Sequence, residues 1–143
     1  MVRHVRRWAV VFLLGAAAGC PRKDAPPSME PAQGQLYKIG QAFVRASARL
    51  GRAPAHFADL EPDLPGASED ILRSPGDGEP FVILWGIDYN KLPPAPKDPF
   101  TVGGYEKHGV SGSRWVLRFP LSVVRLSDAD LKKAVFPPGH GPP

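Results

Sequence analysis

The chain holds a single thiol, Cys20, and four imidazoles, His4, His56, His108 and His140. Local zinc sites pair their ligands roughly two to four residues apart, and none of these side chains shares that spacing. CxxCH, GxSxG and the P-loop are absent, which removes covalent haem and the commonest motif routes to hydrolase or nucleotide chemistry. Neither a catalytic residue nor a cofactor is therefore expected. Asp77 and Glu79 in SPGDGEP, with Asp88 and Asp98 beyond them, are oxygen donors of the kind calcium uses. Calcium takes roughly six to eight oxygens, more than this stretch supplies, and Asp77 followed by Gly78 reads first as a turn. Trp85 and Trp115 offer aromatic surface to a glycan or a protein partner, but inside apolar runs they read more simply as core.

The surroundings of Cys20 give its thiol a different use. Arg3, Arg6 and Arg7 precede the uncharged run Trp8 to Ala18, and small residues lead into the cysteine. Eleven apolar residues cannot cross a bilayer core, which takes about 20; a basic start, a short apolar run and small residues are the pattern of an export signal. The stretch LLGAAAGC resembles a bacterial lipobox, with Ala17 where leucine is more common. That resemblance implies a signal peptide over 1–19 and attachment of lipid, acyl chains such as palmitate, at Cys20. A lone thiol has no intramolecular disulfide partner, and two acyl chains anchor stably where one does not. The expected partner is therefore a membrane, reached through lipid rather than a peptide span.

Charge excludes another class. Removal of residues 1–19 takes three of the 18 basic residues and none of the 14 acidic ones. The remaining near-neutral chain lacks the charge needed to neutralise a run of phosphates, so no nucleic acid partner is expected. All 18 prolines and 13 of the 15 glycines lie in residues 20–143, a fraction at the edge of disorder-prone composition. FVILWG and RWVLRF are dense in β-branched and aromatic residues, which implies a folded core despite that punctuation.

Residues 20–34, rich in proline and charge, read as a flexible spacer. In QLYKIGQAFVRASARLG the residues Leu36, Ile39, Phe43, Ala46 and Leu50 recur at helical steps, with Tyr37 and Val44 beside them. Gly51 fits a left-handed cap, and Gly40, costing about 1 kcal/mol inside a helix, signals a close contact. Short helical turns are expected at His56 to Leu60 and Glu69 to Leu72, the second capped by Ser68. Phe81 to Gly86 reads as a central strand. KLPPAPKDP cannot join a sheet interior. Thr101 to Lys107, Arg114 to Phe119 and Val123 to Leu126 read as further strands, and Ser127 caps a short helix, DADLKKAV. The fold class is α+β: one N-terminal amphipathic helix packed on a small antiparallel sheet of three to four strands, with long Pro/Gly-rich loops and a short C-terminal helix. The domain runs from 35 to 136, and the tail 137–143 has no reason to be ordered.

QLYKIGQAF with the following LGRAP resembles the opening of pilin-like proteins of planctomycete-type bacteria. GSRWVLRFPLSVVRLSDADLKKA is similar to their final strand pair and acidic helix, and Tyr105, Glu106 and Lys107 sit where that group has an Ala-Tyr-Glu segment. Pro120 and Leu121 replace its usual Asp-Gly, so a two-residue primed turn is not expected. A lipobox stands where typical pilins have a long apolar helix, and filament assembly is not implied by the resemblance. The two resemblances together imply a cell-envelope protein, held at a membrane and facing the periplasm or the exterior, whose pilin-like head is a non-enzymatic structural or interaction module with a possible envelope protein partner. Two further expectations stand beside it: a small periplasmic ligand-binding or hydrolytic domain using His56, His108 or the carboxylates near Asp77, and a pseudopilin-like subunit of a secretion system.

Overall fold

A computed structural model of the chain describes residues 29–92 and 99–143. The segment 1–19, Cys20, most of the spacer and Asp98 lie outside the described residues. The architecture is α+β. A long helix, α1 (Pro31–Leu50), is followed by three short 3-10 turns at Phe57–Asp59, Glu61–Asp63 and Glu69–Leu72. Strands β1 (Val82–Ile83), β2 (Thr101–Tyr105), β3 (Ser113–Phe119) and β4 (Ser122–Ser127) come next, then a one-turn helix, α2 (Asp128–Leu131). The strands form an antiparallel sheet in the order β1-β2-β3-β4.

α1 begins four residues before Gln35, inside the stretch that reads from sequence as spacer. Pro31 suits the first turn, where its missing N–H goes unmissed and its φ is already helical, and Ala32 extends the buried stripe by one turn. Leu36, Ile39, Phe43 and Ala46 are buried, while Val44 is exposed. Gly51 ends the helix at φ 66°, its N–H donating to the Ser47 carbonyl at 3.0 Å. Ser68 does not cap the third 3-10 turn through its side chain; its hydroxyl donates to the Asp70 carboxylate instead.

The apolar run Phe81 to Gly86 predicts a central strand, and here the structure differs: only two of its residues form β1, at the sheet edge. The run is apolar because both of its sides are covered. Phe81 and Ile83 share a cluster with Leu36, Ile39, Phe43, Leu117 and Phe119, whereas Val82 and Leu84 share a second one with Val116, Leu131 and Phe136. Coverage on two faces gives an edge segment the composition ordinarily seen in central strands.

β2 reaches the second cluster twice through an irregularity. Its register slips between Val102 and Gly104, and one extra residue lets Val102 and Tyr105, three apart, reach the same cluster, which strict alternation forbids. Gly103 makes room for an aromatic ring: a Cβ there would stand 2.3 Å from Cε2 of Phe119. The β3–β4 turn carries a cis Phe119–Pro120 peptide, and Arg118 opposite Ser122 is its last registered pair. At the far end of β4 the Ser127 hydroxyl accepts the Asp130 N–H at 3.1 Å, starting α2. α2 is shorter than DADLKKAV suggests, yet the chain beyond it stays engaged: Val102 N–H donates to the Val135 carbonyl at 2.8 Å, and Pro137 is buried.

Gly40 leaves room on α1 for two leucines, one from β3 and one from the turn after it. A Cβ there would lie 2.6 Å from Leu117 Cδ1 and 2.8 Å from Leu121 Cδ1. Gly40→Val should therefore lower stability by about 1–3 kcal/mol, the usual cost of overpacking, although it replaces a poor helix former. Urea unfolding checks this; an unchanged midpoint would show that the two leucines swing aside freely.

Candidate functional site

Glu106 comes directly after the last residue of β2, and its side chain enters the interior, only 2 % exposed. A carboxylate there needs donors. Oε1 accepts the Ser74 hydroxyl at 2.7 Å, and Oε2 accepts the Trp115 backbone N–H at 2.8 Å. The Ser74 oxygen itself accepts the Gly76 N–H at 3.0 Å, and the loop is closed by bonds from Ser74 N–H to the Glu79 carbonyl and from Gly78 N–H to the Ser74 carbonyl. Position 76 must be small, because a Cβ would stand 2.5 Å from Oε1. Glu106 thus ties the loop before β1 to β3.

Above it lies a cleft of about 310 Å³ walled by Glu30, Pro31, Pro75, Val110, Trp115 and Arg125. The Trp115 indole N–H donates to Glu30 Oε2 at 3.3 Å, and Arg125 reaches Glu30 Oε1 at 3.6 Å with its guanidinium 5.9 Å from the indole centre. No imidazole lines the recess. The Ser74 hydroxyl gives its proton to one group and its lone pair to another, whereas an activated serine needs a base that can take its proton during attack. The cleft can accept hydrogen bonds and stack a flat group. A second recess, of about 240 Å³, lies beside Phe43, Val44, Tyr89, Leu92 and Pro120. Its Tyr89 ring stacks on Phe119 at 4.0 Å, and burial raises the phenol pKa.

The residues singled out by sequence are dispersed. Asp77 accepts the Glu79 N–H on Oδ1 and the N–H groups of His108 and Gly109 on Oδ2. Burial opposes its charge, but these three donors outweigh it and hold its pKa low. Asp77 therefore clamps the β2–β3 connection to the loop before β1. Glu79 pairs with Lys107 at 3.5 Å and Asp88 with Lys91 at 3.0 Å. His108 and His140 are exposed, and His56, 65 % exposed, stands 3.9 Å from Asp59. Among the described residues no three His, Cys, Asp or Glu side chains gather as a metal site requires. Trp85 stacks on Phe43 at 6.3 Å and Trp115 packs against the α1 cluster.

Two anchoring carboxylates are not legible as such in the sequence. One is Glu106, which enters there only through a family resemblance. The other is Asp59, which receives both terminal nitrogens of Arg52 at 3.0 Å and the Ala55 N–H at 2.8 Å. The Arg52 hydrogen bonds, then that of Ala55, hold its pKa down to about 2.

Glu106→Ala removes the acceptor of the buried Ser74 hydroxyl and of the part-buried Trp115 N–H, and should cost about 1–3 kcal/mol in all, read by chemical denaturation. Asp59 sets a pH dependence. Its folded carboxyl holds a proton more weakly than the unfolded one, so the stability it contributes is complete above pH about 4 and is lost as pH falls toward about 2. Asp59→Asn should be less stable than the parent at neutral pH, and thermal melts should show the gap closing across that window. No family model matches the chain, and no characterised protein or solved structure matches it.

Proposed function

We propose that this chain is a lipid-anchored cell-envelope protein, acylated on Cys20 after removal of residues 1–19. Its α+β unit serves as a pilin-like, non-catalytic interaction or structural head, with α1 as the amphipathic helix laid on the sheet. The observation that carries the reading is the lone thiol at the end of LLGAAAGC. No other thiol in the chain can pair with it, and the apolar run before it is too short to span a bilayer.

The internal chemistry supports the non-catalytic part. Glu106, Asp77 and Asp59 each direct their oxygens to backbone N–H groups, a hydroxyl or a guanidinium within the same domain. Acid–base catalysis needs such a group free to reach a substrate proton; these hold loops. Ten residues separate Cys20 from Pro31. Extended chain covers at most about 3.6 Å per residue, so the head stays within roughly 40 Å of the lipid.

Cys20→Ser tests the anchor. The parent chain should sediment with membranes and release into detergent, and the variant should move to the soluble fraction. Mass spectrometry of the parent should show an N-terminal cysteine carrying acyl mass. Equal partition of the two chains removes the anchor.

A further inference from the structure

β4 is the outer strand of the sheet, on the side opposite β1. Its register sets Ser127 opposite Ser113 and Val124 opposite Val116, and one residue further on the Asp128 N–H donates to the Gly112 carbonyl at 3.2 Å. Bonded and non-bonded pairs alternate along an antiparallel ladder. With Gly112 and Asp128 as a bonded pair, Leu126, Val124 and Ser122 turn their backbone groups toward β3. Val123 and Arg125 then turn theirs outward, and among the described residues no hydrogen bond reaches those groups.

Sheet edges are ordinarily guarded by shortness, proline, bulges or charge. β1, at the other edge, is two residues long. β4 has six residues, Ser-Val-Val-Arg-Leu-Ser, with no proline and an unbroken register. Its one charge is folded back over its own sheet: Arg125 Nε donates to the Ser113 hydroxyl at 2.8 Å while the guanidinium pairs with Glu30. The backbone edge is left open.

We infer that β4 pairs antiparallel with β4 of a second copy of this chain, Val123 of each opposite Arg125 of the other, about a two-fold axis at Val124. Outward-turned residues can bond only to outward-turned residues, which fixes this register; a two-fold relating antiparallel neighbours in one sheet stands normal to it, so both α1 helices lie on one face. This register also keeps the two Arg125 side chains from facing each other, which like charges disfavour. Glu30, just before α1, lies against Arg125 near the middle of β4. The axis therefore brings Glu30 of both copies to one face near the axis, and a tether of at most about 40 Å lets both Cys20 residues reach one bilayer. The choice of a second copy as occupant rests on the proposed lipid anchor; the open edge does not. About four hydrogen bonds make a small interface, and tethering to a common surface raises the effective concentration that sustains it.

The test uses the full chain in membranes of cells producing it. Two Val124 residues facing each other as a non-bonded pair have Cα atoms about 4.5 Å apart, within disulfide range. Under mild oxidation Val124→Cys should give a disulfide-linked dimer, with peptide mass spectrometry joining position 124 to position 124, and Val44→Cys on exposed α1 surface should not. Arg125→Pro deletes an outward N–H without touching the β3 ladder and should cut the linked fraction at least about tenfold. Arg125→Ala, which keeps that N–H, should leave it within about twofold. A monomeric Val124→Cys chain, a link to a different protein, or equal loss in the Pro and Ala variants overturns the pairing. The two readings fail separately. A soluble chain that still links through position 124 refutes the anchor and keeps the pairing, whereas a membrane-bound chain without a dimer does the reverse.

Discussion

A carboxylate taken out of water has to be met by donors, and where Glu106 is met decides much of this architecture. One oxygen is bound by a serine from the loop before β1 and the other by the backbone of β3. These segments are far apart in sequence, and of the two only β3 is held by strands on both sides. The loop Ser74–Glu79 is closed by hydrogen bonds onto its own ends, and Asp77 draws the N–H groups of His108 and Gly109 onto it. Two acids thus fasten the same loop from two sides. Hydrogen bonds to a charged acceptor contribute more than neutral ones and leave a larger penalty when broken, so these two acids fix the loop.

The sheet is covered on both faces, and this determines how so small a core can suffice. One cluster joins α1 to Leu117 and Phe119, and the other joins Val116, Val102 and Tyr105 to Leu131 and Phe136. Successive residues of β3 alternate between them: Val116 belongs to one, Leu117 to the other. The bulge in β2 and the small Gly103 and Gly104 allow the sheet to carry Phe119 and Ile83 close against its backbone. Both faces of the sheet thus bury apolar side chains, one beneath α1 and the other beside α2 and the chain that follows it.

Local signals in the sequence are legible and long-range ones are not. The α1 stripe, its Gly51 cap, the Ser127 cap and the β3–β4 pair arise from spacing and from side-chain preferences acting over a few residues. Gly40 signals a close contact, and Leu117 with Leu121 supplies it. The true helix start is hidden because Pro31 reads as a breaker unless it occupies the first turn. The edge position of β1 is hidden because an apolar run records burial on both sides, not the number of neighbouring strands. For the site, the walls contributed by Trp115 and Val110 can be placed on or beside strands, but nothing adjacent to Glu106 reveals that one of its two donors comes from Ser74, 32 residues away. Cys20, the most specific chemical signal in the chain, carries no information about the folded head.

The place where the chain enters the domain can be argued from magnitudes. Glu30 touches Arg125 and Trp115, but both charged partners are well exposed, at 59 % and 40 %. An ion pair in water contributes about 0–1 kcal/mol. Ala32 and Leu36, close behind it in the chain, are 4 % and 0 % exposed, and full burial of a leucine alone contributes about 1.5–3 kcal/mol. Burial of the first turns of α1 therefore sets where the packed unit begins, and Glu30 adds only exposed contacts to Trp115 on β3 and Arg125 on β4. A pull applied upstream breaks the weak polar contacts at Glu30 first and is then resisted mainly by the apolar packing of Ala32 and Leu36.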